Sequence, residues 1–123
     1  MNKEFTTYNQ ALALKELGFD EPCFGFYPKS GGNIQFGSLG KFSSEYTHII
    51  SAPTYSQAFR WFREKNNLYG LIDYMLTPNM AKYKILKEND LVIEIIMAFG
   101  EYEEAENACL NKLIKICKNK TND

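Results

Sequence analysis

The sequence predicts an α+β fold: a single layered domain over residues 1–123, a mainly antiparallel sheet of about five to six strands, and three helices. Three observations carry this. Three segments have helix start or stop signals around an apolar stripe. Between them lie short runs rich in aromatic and β-branched residues, separated by turn residues. No repeat, low-complexity tract or long linker divides the chain. A hydrophobic share of 45% with 24% charged residues is that of a folded protein with its own core, not of a disordered tail.

The first helix is the run "YNQALALKEL". Thr6 or Thr7 can cap it, and Thr7 with Gln10 three residues on has the form of a capping box. Gly18 stands where a left-handed C-terminal cap is expected, and Ala13, Leu14 and Leu17 share the side that should face the core. Pro22 follows, and the signals turn to strands: "CFGFY", then "NIQFG", then "EYTHII" from Glu45 to Ile50.

The second helix starts after Pro53. In the stretch "APTYSQAFRWFREKNNLYG" aromatic and basic residues interleave, which suggests either a binding surface or one helix of an ordinary core. On a helical wheel Tyr55, Ala58, Phe59 and Phe62 fall at i, i+3, i+4 and i+7, so these rings belong in the core. Arg60, Arg63 and Glu64 occupy other faces, and Arg60 with Glu64 has ion-pair spacing. Trp61 lies about 100° from the centre of the stripe, beside Ala58 and Lys65, at the boundary between buried and wet. Two readings stand for it: a rim residue packed under a neighbouring loop, or an anchor for a partner with Arg60, Arg63 and Lys65 around it.

Three strands come next. "YGLIDYML" and "AKYKILK" flank a turn at "TPN", and in the latter Ala81, Tyr83 and Ile85 alternate with Lys82 and Lys84, as in a half-buried strand. "LVIEIIMAF" is apolar except for Glu94, which predicts a central or doubly covered strand. The last helix runs from Glu101 to about Lys118, with glutamates crowding its start and lysines its end, as the helix dipole favours. Tyr102, Cys109, Leu113 and Ile116 form its expected stripe, flanked by Ala105 and Cys117.

Little in this pattern points to a reaction. Lys plus Arg number 14 against 15 Asp plus Glu, a net charge of −1, which argues against a whole-molecule attraction to nucleic acid or an anionic membrane. The three cysteines have no metal-ligand spacing and read as reduced core thiols of a soluble, cytoplasmic protein. "SGGNIQFGSLGK" has Gly32 and Gly37 at phosphate-loop spacing, but Ser38 stands where the motif needs Lys, so a turn or loop flanked by Lys29 and Lys41 is expected. His48 is the only histidine, and no thiol is spaced to join it as a nucleophilic pair. Asp73 and Glu94 each interrupt an apolar strand. Asp73 reads as facing water, and Glu94 as either exposed or paired when buried.

The segments "TTYNQALALKELGFDEPCFGFY", "SAPTYSQAFRWFREKNNLYG" and "EYEEAENACLNKLIKICK" together resemble a family of small proteins encoded in phages and prophages of Bacteroidetes bacteria. The resemblance implies a small protein with no catalytic residues to carry over, of a kind that acts by binding host machinery, including defence proteins such as CRISPR effectors. The expectation is therefore a non-enzymatic binding protein in the cytoplasm of the host bacterial cell. It modulates a host protein as an anti-CRISPR-like inhibitor would, with no cofactor and no metal. Trp61, Arg60, Arg63 and Lys65 are the expected partner-binding residues, with Lys29 and Lys41 as loop contacts. The alternative is a nucleic-acid or nucleotide-binding module using the same helix face.

Overall fold

A computed structural model describes residues 2–37, 49–75, 80–87, 90–97 and 101–121. The chain is α+β, and it divides into two compact units, Met1–Ala58 and Phe59–Asp123. The division falls inside the second helix.

The first unit opens with a 3-10 turn, Asn2–Glu4, followed by helix α1, Tyr8–Glu16. The local signals at both ends of α1 act as the sequence predicts. Thr7 is the cap: its hydroxyl accepts from the Gln10 N–H at 3.2 Å, and the Gln10 carboxamide oxygen accepts from the Thr7 N–H at 2.9 Å. Both orphan donors are thereby satisfied. Thr6 has another task. Its hydroxyl and its N–H both donate to the Pro53 carbonyl, and its own carbonyl accepts from the buried Tyr27 hydroxyl at 2.7 Å. At the far end Gly18 takes φ 104°, and the N–H groups of Gly18 and Phe19 close back onto the carbonyls of Lys15 and Leu14. Phe19 and Leu14 are both buried, the apolar contact that goes with this reversed turn. Leu17 caps the helix and is only half-buried, so the core side is carried by Ala11, Ala13 and Leu14.

Strands β1 (Gly25–Pro28), β2 (Gln35–Phe36) and β3 (Ile49–Ala52) form an antiparallel sheet in the order β2-β1-β3. Helix α1 packs on β3, and Ala11, Tyr27, Ile50 and Ala52 make the shared core. Gly25 is required by close approach: a Cβ there would meet the Phe5 ring at 3.0 Å and the Ala52 carbonyl at 3.2 Å. Phe5 packs edge-on against Phe36, which stacks on Phe24.

Helix α2, Tyr55–Asn66, is capped by Thr54, whose hydroxyl accepts from the Gln57 N–H at 3.1 Å. It ends where Asn67 takes φ 56° and the Leu68 N–H returns to the Phe62 carbonyl. Asparagine is one of the few residues that tolerates this left-handed conformation.

In the second unit β4 (Tyr69–Met75), β5 (Met80–Lys87) and β6 (Asp90–Met97) form an antiparallel sheet in the order β4-β5-β6. Ala81, Tyr83 and Ile85 are buried in alternation, as the period of two predicts. Helix α3, Tyr102–Thr121, lies on β4 and β5.

Two expectations need correction. The strands do not form one sheet of five to six. Among the described residues six strands are split into two three-stranded sheets, because β3 pairs back onto β1 and β4 pairs only forward onto β5. The buried arc of α3 is also rotated from the expected stripe: Ala105, Cys109, Leu110, Leu113, Ile114 and Cys117 are buried, whereas Ile116 is half-buried and Tyr102, in the first turn, is 44% exposed. Two strands beneath a helix cover a broader arc than the narrow seam read from the sequence.

Candidate functional site

Basic residues gather along the wet side of α2. Arg60, Arg63, Glu64 and Lys65 are all exposed, so three cations and one anion share the last two turns. Arg60 Nε lies 3.9 Å from Glu64 Oε1, an exposed i,i+4 pair worth about 0.3–0.5 kcal/mol. Basic residues in the last turn also suit the negative end of the helix dipole.

Trp61 does not belong to this surface. Its ring is 5% exposed and packs edge-on against Phe62 at 5.0 Å. The burial that the wheel assigned to Tyr55, Ala58, Phe59 and Phe62 is found at all four, and it extends round to Trp61. The indole is thus part of the core, and a partner reaching α2 meets guanidinium and ammonium groups rather than an aromatic anchor.

The loop cations are separate. Lys29 is exposed in the turn after β1, where Gly31 and Gly32 both take positive φ and the Lys29 carbonyl accepts from the Tyr8 hydroxyl at 2.9 Å. Lys41 and His48 lie outside the described residues. Asp73 is exposed on β4 in register with Lys82, and Glu94 stands in β6 in register with Lys84.

Cys23 and Cys109 are poorly suited to nucleophilic work. Burial pushes Cys23 up to about 12, with Glu21 adding to the rise and Gln57 opposing it, and its Sγ donates to the Glu21 carbonyl at 3.3 Å. Burial likewise pushes Cys109 up to about 12, assisted by Glu106. Both stay protonated at neutral pH, whereas a reactive thiol needs the opposite shift. Among the described residues no cluster of three His, Cys, Asp or Glu side chains is placed to hold a metal ion, and no helix is long and apolar enough to cross a membrane.

Sequence reasoning missed one feature. Tyr69 and Leu71 are 40% and 41% exposed on β4, on the face opposite α3. The signal was present in the alternation of "YGLIDYM": Asp73 reads as facing water, and Tyr69 and Leu71 share its face, but their exposure was not drawn from it. Comparison of the chain with protein-family models, with curated proteins and with solved structures finds no match, so the surfaces themselves carry the functional reading.

Proposed function

We propose that the protein is a non-enzymatic binding protein that modulates a host protein, engaging an acidic surface of that protein through Arg60, Arg63 and Lys65. The observation that carries this reading is the basic edge of α2: three exposed cations on a helix whose other side is anchored by buried Phe59, Trp61 and Phe62. A packed helix fixes the spacing of the three charges, so binding orders only their side chains and not the backbone that carries them, which favours specific complementarity over loose attraction. In the phage setting that the sequence resemblance implies, the host protein is a defence effector of the CRISPR kind. Inhibition then follows from occupying a surface, with no bond made or broken.

The nucleic-acid alternative draws on the same cations. It is weakened by the burial of Trp61, because base stacking needs an accessible ring. Charge reversal at all three positions, Arg60→Glu, Arg63→Glu and Lys65→Glu together, tests the proposal. These side chains are exposed, so the variant is expected to keep the wild-type circular dichroism and to lose capture of its partner from a host lysate. Unchanged capture by a folded variant overturns the assignment. Binding to RNA or DNA that falls steeply with added salt moves it to the alternative.

A further inference from the structure

Among the described residues strand β4 is an edge of its sheet. It pairs with β5 over all seven residues, Tyr69 to Met75, in unbroken register, and among the described residues with no other strand. Exposed edges are normally blunted by shortness, lysine, proline or a bulge. The edge strand β2 is two residues long. The far edge of the second sheet, β6, carries Asp90 and Glu94 and meets β5 through an irregular register at Ile85 and Leu86. Strand β4 has none of these protections and a single charge, Asp73.

Its two faces are distinct. Gly70 faces α3, since a Cβ there would touch Cys109 and Leu113. Tyr69, Leu71 and Asp73 alternate with it and are exposed on the other face. We infer that β4 is a homodimer interface, pairing antiparallel with β4 of a second copy about a two-fold axis at Leu71.

The choice of occupant and register follows from the residues. A two-fold contact sets each strand against itself, so the sequence must be complementary to its own reverse. With the axis at Leu71, the two leucines face each other, and each Tyr69 hydroxyl lies across from an Asp73 carboxylate, donor to acceptor. With the axis at Ile72, Leu71 is set against a carboxylate. With the axis at Asp73, the two carboxylates oppose each other. With the axis at Gly70, the pairing must recruit Leu68, which is buried, and Asn67, whose φ of 56° is not that of a strand. The Leu71 axis alone sets leucine against leucine and a hydrogen-bond donor across from each carboxylate. It joins two three-stranded sheets into one continuous antiparallel sheet and sets the two exposed leucines side by side.

This inference does not rest on the host-protein proposal, because it uses no residue of the basic edge. Site-directed crosslinking tests it, with light scattering on the wild-type chain. Directly opposed α-carbons in an antiparallel pair lie about 4.5–5.5 Å apart, within disulfide reach. Leu71→Cys is therefore expected to link to its own copy rapidly when diamide is added as oxidant. Tyr69→Cys is not, because residue 69 and its symmetry mate are about 14 Å apart along the strands. A mixture of Tyr69→Cys and Asp73→Cys chains is expected to link across the pair. The native cysteines are buried, and the wild-type chain is the background control. Light scattering is expected to show a concentration-dependent doubling of mass that Leu71→Lys abolishes while the circular dichroism stays unchanged. A wild-type chain that remains monomeric at all concentrations overturns the inference, and so does crosslinking no faster at 71 than at 69.

Discussion

Gly70 occupies a crowded position in the second unit, and replacing it with alanine tests the packing of α3 on the sheet. A Cβ at this position would lie 3.0 Å from Cys109 Sγ and 3.1 Å from both Leu113 Cδ1 and Phe59 Cδ1. Ordinary carbon contacts are about 3.5–4.0 Å, so three neighbours must each yield by a few tenths of an ångström. All three positions are buried and close-packed, and Cys109 has only one torsion with which to move aside. Overpacking of this kind costs about 1–3 kcal/mol. Against it stands a gain of about 0.4–1 kcal/mol, because alanine restricts the unfolded chain. The expected net loss is about 1–2 kcal/mol, read as a lower urea midpoint at unchanged slope and a Tm lower by about 5 °C. Pairing the change with Cys109→Ala should recover about 0.5–1 kcal/mol relative to additivity, since the two sites share one space. Equal or greater stability in Gly70→Ala would refute the close approach of β4 to α3.

Other consequences can be checked separately. Trp61 is the only tryptophan, so its emission should be blue-shifted and resist acrylamide, and Trp61→Ala should cost about 3–5 kcal/mol of stability rather than act mainly on binding; a red-shifted, readily quenched spectrum would refute its burial. Cys23 and Cys109 should not react with a thiol reagent at pH 8 until the protein is denatured. Because their folded values are raised from 9.0 to about 12, unfolded chains ionise first: their contribution to stability is full below pH 9 and lost as pH rises toward 12, and alkaline denaturation at a lower pH than in Cys109→Ala is the expected sign. Thr7→Ala removes half of the capping box and should cost about 1 kcal/mol, measured by urea unfolding.

What could be read from the sequence was local. The capping box at Thr7 and Gln10, the reversed turn at Gly18 and the alternation of β5 depend on residues a few positions apart, and each is found as expected. What could not be read was nonlocal. A wheel gives the angle at which Trp61 leaves α2, but not whether something covers that angle. The buried arc of α3 was misplaced for the same reason: Leu110 and Ile114 are buried because of where the sheet lies, not because of helix periodicity. The grouping of strands is set by pairings such as β1 with β3, residues 25–28 with 49–52, a distance over which sequence patterns carry no register. The cations of the candidate site were legible because a charged side chain on the wet face of a helix stays exposed whatever covers the other side.

The burial of Trp61 changes the physics of recognition. With an exposed indole at its centre, the α2 surface would bind through desolvation of a large ring, an energy that salt scarcely alters and that concentrates in one side chain. With the indole in the core, the surface offers three cations spread over two turns and one internal ion pair. Attraction of that kind is individually weak, screened over about 8 Å at physiological ionic strength, and effective mainly in speeding and orienting encounter. The proposed engagement of a host protein, if tight, needs apolar area from elsewhere on the chain. Exposed Phe24, stacked on Phe36, the Tyr69–Leu71 face of β4 and exposed Tyr102 are where the described residues supply it. If two copies join along β4, Leu71 is consumed by the dimer and each complex presents two basic edges. Avidity between them, rather than a single anchor, then sets the strength of binding.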